Sequence, residues 1–172
     1  MLSKFKRSKH QQHLAQLPKL PQTVADVRTL YAPSDFRTTL LDAIANATQR
    51  IYLVALYLEH DDAGREILNA LYQAKQRRPE LEICVLVDWH RAQRGRIGAA
   101  AANTNADWYC AMAGQHPEQS VPIYGVPVNT REALGVLHLK GFVVDDTVIY
   151  SGASINDVYL HQHEKYRYDR YQ

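Results

Sequence analysis

Two short apolar runs, Ile51 to Leu58 and Leu81 to Asp88, most constrain the fold of this 172-residue chain. Each run has the length of a buried strand. The stretch between them, about 62–77, repeats its large apolar residues at helical spacing and ends before Pro79. A strand, a helix and a second strand in this order form a right-handed unit with parallel strands. The sequence therefore predicts an α/β fold in which helices flank a mixed sheet.

Further segments with helical or strand periodicity surround this unit. They are a helix over about 35–49, a helix over about 96–113, a strand near 121–126, and a hairpin with arms at roughly 136–144 and 147–151. Ser34 is the predicted N-cap of the first helix. Residues 34–172 form one predicted domain, whereas residues 1–33 are basic, contain several prolines and are predicted to be an arm with little core of its own.

The first arm of the hairpin carries His138 and Lys140, which strand alternation places on one face while Leu139 points away. Imidazole is well suited to act as a nucleophile near neutral pH, and an adjacent ammonium stabilises charge on phosphoryl oxygens. Asp145 and then Gly152 follow along the chain. This pattern predicts attack on phosphorus. A surface histidine and lysine on an edge strand, without a chemical role, is the alternative.

A second candidate site follows the strand that ends at Asp88. Ligands of open α/β sheets gather at the carboxyl ends of strands, and the next residues here include Arg91, Arg94 and Arg96. Guanidinium groups and helix N-terminal amides both favour phosphate, so these arginines are predicted to hold a pyrophosphate. The alternative is a solvated basic loop in which Asp88 and His90 only cap and orient the backbone.

The pattern HxKxxxxD followed by glycine resembles the HKD motif of the phospholipase D superfamily. Within that superfamily, longer runs are similar to the bacterial CDP-diacylglycerol–serine O-phosphatidyltransferases. These runs are VDWHRAQRGRIGAAAANTNADWY at 87–109, YGVPVNTREALGVLHLKGFVVDD at 124–146 and YSGASINDVYLHQHEKYRYDRY at 150–171. The resemblance covers essentially the whole chain and implies a phospholipase D-like domain, one of two HKD halves.

The resemblance implies phosphatidyl transfer from CDP-diacylglycerol to L-serine, which gives phosphatidylserine and CMP through a phosphohistidine. It makes His138 the nucleophile, Lys140 the group that stabilises the phosphoryl oxygens, and Asp145 a support of the local geometry. Superfamily members commonly place Ser directly after the glycine and Asn three residues after it, whereas here Ser154 and Asn156 come one place later. A bulge would return both to the pocket as substrate-binding groups. No metal or other cofactor is implied.

Members of the superfamily take a second histidine from a second HKD motif, and it serves as the general acid and base. No second complete HxKxxxxD pattern occurs in this sequence. We therefore expect the second HKD half to come from another chain or from residues beyond Gln172. The second option is favoured because the family continues past that point, so the domain is expected to be truncated at its C-terminal end.

Charge and hydropathy limit the location and the partners of the protein. The net charge is +2 with both signs interspersed, which predicts no specific nucleic-acid partner. The apolar run Ile51 to Leu58 is too short to span a membrane, and no apolar signal segment follows Lys4, Lys6, Arg7 and Lys9. We expect a cytoplasmic protein that these basic residues attach reversibly to the anionic inner membrane surface.

Several assignments stay open from the residues alone. His, Lys and Asp would equally serve a cardiolipin synthase or a phospholipase D-type nuclease, and a non-catalytic lipid-binding half-domain is a further alternative. The tyrosines from Tyr159 to Tyr171 are predicted either to stack on a cytosine or lie at a lipid headgroup interface, or instead to pack one edge of the fold. Glu164 and Asp169 are both candidates to orient a catalytic imidazole. The acceptor alcohol is specified by the resemblance alone.

Overall fold

The fold is described from a computed structural model over residues 11–19, 21–94, 104–128 and 137–172. A short 3-10 turn, Val24–Asp26, precedes the main elements. In chain order these are α1 (Pro33–Asn46), β1 (Arg50–Ala55), α2 (Asp62–Arg77), β2 (Glu82–Asp88), α3 (Trp89–Ala92), α4 (Asn105–Gln115), β3 (Ile123–Val126), β4 (Gly141–Val144) and β5 (Thr147–Ile149).

The strands form one sheet in the order β3-β2-β1-β4-β5. β1 pairs with β2 in parallel, with Ile51 opposite Ile83, and β2 pairs with β3 in parallel. β4 runs antiparallel to β1, with Val54 opposite Gly141, and forms a hairpin with β5. The predicted α/β class with a mixed sheet is confirmed.

The two long helices follow from local sequence signals. α2 has the predicted bounds. Asp61 caps its start by accepting a hydrogen bond from Gly64 N at 2.9 Å, and its apolar stripe is buried. α1 begins earlier than predicted, at Pro33, and its N-cap is Ala32 instead of Ser34. Proline is favoured in the first turn, since its fixed φ suits the helix and it lacks an N–H that would be unpaired there.

The core lies where α1 and α2 pack against the sheet. Phe36, Leu40 and Ile44 of α1 are fully buried, as are Ile51 and Leu53 of β1. Side chains of β1 alternate between buried and half-buried. Burial of each such side chain stabilises the fold by roughly 1.5–3 kcal/mol relative to exposure, so this layer holds β1 firmly at the centre of the sheet.

The segment after β1 keeps one hydrogen bond to β2, from Asp88 N to Leu56 O, and is then held by α4 at Leu58. β1 ends at Ala55 and not at the predicted Leu58. Leu58 N donates to the Tyr109 hydroxyl at 2.9 Å, and that hydroxyl donates to Leu58 O at 2.6 Å. Burial raises the pKa of Tyr109, so its hydroxyl stays protonated and can serve as both donor and acceptor.

The helix predicted over about 96–113 is wrong in its bounds. The structure has the short α3 at Trp89–Ala92 and then α4 at Asn105–Gln115, and residues 95–103 lie outside the described part of the chain. Thr104 caps α4 by accepting a hydrogen bond from Asp107 N at 3.0 Å. That cap fixes where α4 begins.

The tail adds to the sheet edge beside β5. Gln172 and Tyr150 exchange two backbone hydrogen bonds, of 2.6 and 2.9 Å, and Leu30 N donates to Tyr171 O at 3.0 Å. The Tyr171 ring is buried and stacks on Phe36 with 4.9 Å between ring centroids. Tyr171 therefore packs the edge of the fold, and Leu30, within the predicted arm, is buried against it. Among the described helices, none is long and apolar enough to cross a bilayer.

Candidate active site

The sheet brings the two predicted sites to one edge. β1 and β2 are parallel, so their carboxyl ends meet there, and the antiparallel β4 begins where β1 ends. His138 and Lys140 directly precede β4, while Asp88 ends β2 and Arg91 lies in α3. A histidine, a lysine and an arginine thus gather at the edge where ligands of such sheets bind.

The segment before β4 is irregular backbone and not a strand arm, which corrects the predicted alternation. Lys140 is buried, with 8% of its surface exposed, whereas His138 and Leu139 are both exposed. The Lys140 ammonium donates to His138 O at 3.4 Å. The buried ammonium thus contacts the backbone of a solvent-facing histidine, and an ammonium close to an imidazole can stabilise anionic oxygens of a group bonded to it.

Asp88 contacts both α3, which carries Arg91, and the segment before β4, which carries His138. Its side chain is fully buried; Oδ1 accepts from Arg91 N and Oδ2 from Leu137 N, each at 2.8 Å. The first contact is the backbone cap that the sequence predicts as the alternative role of Asp88. The second joins β2 to the residue that precedes His138, and no local pattern indicates it.

Asp145 lies at the other end of β4, in the turn to β5, and the structure does not bring it to His138. It has a positive φ of 50°, and its side chain accepts four hydrogen bonds, from Arg50 N, Gln49 N, Thr48 N and Thr48 Oγ1. Chiefly the backbone N–H of Arg50, with those of Gln49 and Thr48, lowers the pKa of Asp145 well below its usual range. Asp145 therefore fixes the turn between β4 and β5 to the start of β1.

The residues after Gly152 return to the carboxyl end of β1. Ile155 forms a parallel bridge with Leu58, and Ser154 is buried. Asn156 accepts a hydrogen bond from Tyr159 N at 3.1 Å and also hydrogen-bonds to the Tyr57 hydroxyl. Burial raises the pKa of Tyr57, so this phenol remains a neutral hydrogen-bonding group. Sequence reasoning missed Tyr57, whose proximity to Asn156 depends on the bridge between Leu58 and the distant Ile155.

Of the two acidic candidates in the tail, Asp169 is the one that contacts the motif. A Cβ atom on Gly152 would collide with the Asp169 carboxylate, whereas Glu164 is exposed. The glycine of the pattern is thus required by a close approach.

The predicted phosphate-binding arginines differ in their surroundings. Arg91 is half-buried and lies close enough to Tyr57 for its positive charge to act on the phenol, whereas Arg94 is exposed. Arg96 lies outside the described residues. Trp89 packs on Gly125 of β3, so the start of α3 is fixed against the sheet.

One group in the described part of the chain could hold a metal ion: Asp62, Asp157 and His163. His163 Nε2 lies 3.2 Å from Asp62 Oδ2 and 3.5 Å from Asp157 Oδ2, and Arg65 also pairs with Asp62. Arg65 thus places a positive charge beside Asp62, and Asp157 also accepts a hydrogen bond from Ala63 N at 2.9 Å. His163 and Lys165 repeat the HxK spacing, a repeat that sequence reasoning overlooked, but Asp169 comes one place too early for the full pattern.

Comparisons with known proteins agree with this architecture. Residues 40–157 match the family model described as "Cardiolipin synthase, PLD-like domain". The chain therefore belongs to this family of phospholipase D-like domains. It is 75% identical over 99% of its length to the CDP-diacylglycerol–serine O-phosphatidyltransferase PssA of Escherichia coli K12, and it spans 38% of that protein.

Solved structures extend the likeness to three dimensions. The crystal structure of phosphatidylserine synthase from Haemophilus influenzae Rd KW20 superposes with a TM-score of 0.83 at 51% identity, over 95% of this chain and 36% of the other. NucT from Helicobacter pylori shares the fold, with a TM-score of 0.57 at 16% identity, over 84% of this chain and 80% of the other. The chain thus spans well under half the length of its phosphatidylserine synthase relatives.

Proposed function

We propose that this chain carries one half of an active site that transfers a phosphatidyl group from CDP-diacylglycerol to L-serine. The observation that carries the proposal is the exposed His138 above the buried Lys140, in a chain 75% identical to a serine phosphatidyltransferase. An exposed imidazole can reach a lipid phosphate, and a buried ammonium acts where water screens it little.

In the first proposed step, a His138 nitrogen attacks the phosphorus that bears diacylglycerol. A P–N bond forms, the P–O bond to CMP breaks, and CMP leaves with a proton from a general acid. In the second step, the serine hydroxyl attacks the same phosphorus, its proton passes to a base, and the P–N bond breaks to release phosphatidylserine. Lys140 balances the charge on the non-bridging oxygens in both steps.

The remaining residues would bind and orient the donor. Arg91, with Arg94 and Arg96, would contact the pyrophosphate through charge-assisted hydrogen bonds. Ser154, buried near the same edge, would add a neutral hydrogen bond to the donor. Asn156 would act partly by orienting the Tyr57 hydroxyl, to which it hydrogen-bonds. Asp145 would act at a distance, by fixing the turn after β4.

The proposed chemistry requires a second histidine as general acid and base, a contribution typically worth about 10²–10⁴-fold in rate. We propose that a second HKD half supplies it, either another chain or further residues of a longer protein. We also propose that the protein works from the cytoplasmic side and associates reversibly with the anionic membrane that holds its lipid substrate.

The decisive experiment supplies the chain with CDP-diacylglycerol and labelled serine, with and without a second HKD half. Labelled phosphatidylserine and CMP are expected in equal amounts from the complemented preparation, with slow or absent turnover from the chain alone. His138→Ala should abolish both products, whereas His116→Ala, whose ring stacks on Tyr72 in another part of the fold, should not. CMP release without serine incorporation would contradict the proposal.

A panel of acceptors separates the alternatives. Glycerol or phosphatidylglycerol in place of serine tests the cardiolipin-type reaction that the family description suggests, and water tests a phosphodiesterase. Preference for any of these over serine would replace the proposed acceptor and leave the role of His138 unchanged.

A further inference from the structure

Asp88 is a carboxylate that the proposed chemistry does not use, yet it is fully buried at the candidate active site. A buried carboxylate is costly unless hydrogen bonds replace its hydration. Here the two oxygens accept from two separate segments, Oδ1 from Arg91 N and Oδ2 from Leu137 N, each at 2.8 Å. One oxygen would suffice to cap α3, so the second contact requires another explanation.

The position of Asp88 makes it a rigid support. It is the last residue of β2, its N–H donates to Leu56 O at 3.1 Å, and it pairs with Val126 of β3. The backbone is therefore held on both sides within the sheet. By contrast, the segment 137–140 is irregular, and β4 begins only at Gly141. The contact with Leu137 restrains this segment one residue before His138.

We propose that Asp88 is a positioning residue that holds the backbones of Arg91 and His138 in a single geometry. A phosphate bound by Arg91 would then be held at a fixed position relative to His138, because the backbone N–H of Arg91 and that of Leu137, which precedes His138, both donate to Asp88. This inference rests on the proposed function and adds the link between donor binding and the nucleophile. Positioning of this kind matters because a misplacement of about 1 Å can lower a rate by about 10²-fold.

The substitution Asp88→Asn removes the contact with Leu137 N but keeps the N-cap of α3. The asparagine oxygen can still accept from Arg91 N, and asparagine is as good an N-cap as aspartate. The side-chain amide then faces Leu137 N–H, donor against donor, so the link to the histidine segment is broken. Ile44→Val, which removes one methylene from the buried face of α1, is the control for a general loss of stability.

Amide hydrogen exchange in the 172-residue chain tests the link without any enzymatic activity. Leu137 should exchange about 10–100-fold faster in Asp88→Asn, while Arg91 should change by less than about threefold. Ile44→Val should leave the ratio of the two rates unchanged. Unaltered Leu137 exchange in Asp88→Asn, or equal acceleration at Leu137 and Arg91, would overturn the inference.

Titration with CDP tests the coupling. In the wild-type chain, CDP should shift the amide signals of both Arg91 and Leu137, whereas in Asp88→Asn the shift at Leu137 should be lost. CDP that leaves the Leu137 amide signal unchanged in the wild type would refute the coupling.

With a second HKD half present, kcat of Asp88→Asn should fall about 10–100-fold with KM nearly unchanged. An unchanged kcat would overturn the inference, and a wild type without transferase activity would refute the proposed function while the exchange result still decides the link.

Discussion

Asp145→Asn should destabilise the fold without altering the chemistry at His138. The wild-type carboxylate accepts two hydrogen bonds on each oxygen, from the N–H groups of Gln49 and Arg50 and from Thr48. Asparagine tolerates the positive φ of this position, so the backbone should keep its conformation. Its amide nitrogen, however, replaces one acceptor and faces two donors.

Loss of two hydrogen bonds, each worth about 0.5–1.5 kcal/mol net, predicts a decrease of about 1–3 kcal/mol in the free energy of unfolding. With a denaturant slope near 2 kcal/mol/M, the urea midpoint should fall by about 0.5–1.5 M. Asp146→Asn is the matched control. Its carboxylate is 95% exposed and makes one ion pair with Arg50 at 3.3 Å, so its midpoint should scarcely change.

The same substitution has a defined pH dependence. Because the folded-state pKa of Asp145 is lowered, its stabilising contribution is fully present above the unfolded-state pKa. That contribution is lost as the pH falls through the folded-state value. The wild type and Asp145→Asn should therefore converge in stability at low pH. Equal midpoints at neutral pH would refute the reasoning, and lost activity with unchanged stability would place Asp145 in the chemistry instead.

Further outcomes are expected at other parts of the molecule. His138→Ala should change the unfolding free energy by only about 0.5 kcal/mol, because the ring is exposed; a large decrease in thermal unfolding experiments would contradict its solvent-facing position. Chelators should leave phosphatidyl transfer unchanged, whereas a loss restored by zinc or magnesium would give a function to the cluster of Asp62, Asp157 and His163. Each basic residue of the segment 1–10 should contribute about 1 kcal/mol to binding of anionic vesicles, and this binding should weaken as salt is added. Binding that ignores salt and survives deletion of this segment would contradict the prediction.

Local signals in the sequence predicted the elements that depend on local forces. α2 was predictable to the residue because its cap, its apolar stripe and the following proline are all within one stretch of chain. The start of α1 was misplaced because Ser34 and Pro33 are adjacent and both favour a helix start. Boundaries of this kind are decided by competition between neighbouring residues.

Contacts between distant segments could not be predicted in the same way. The Asp88 link to Leu137 spans 49 residues and depends on where β4 enters the sheet. The pairing of Leu30 with Tyr171 likewise depends on the completed fold. The motif predicts the candidate residues of the site. The burial of Lys140 next to an exposed His138, however, follows from the irregular segment before β4, for which HxK spacing alone gives no indication.

Two carboxylates, Asp145 and Asp88, hold the two ends of β4, and the loss of each is expected to have a different effect. Asp145 anchors the turn after β4 to Thr48, Gln49 and Arg50, so its loss should affect mainly the stability of the hairpin. Asp88 restrains Leu137 before β4, where no strand pairing begins until Gly141, so its loss should affect mainly the position of the histidine. The segment from Leu137 to Gly141 is held at both of its ends, at Leu137 by Asp88 and at Gly141 by pairing with Val54 of β1. His138, the proposed nucleophile, can therefore lie outside regular structure and still have a restrained backbone.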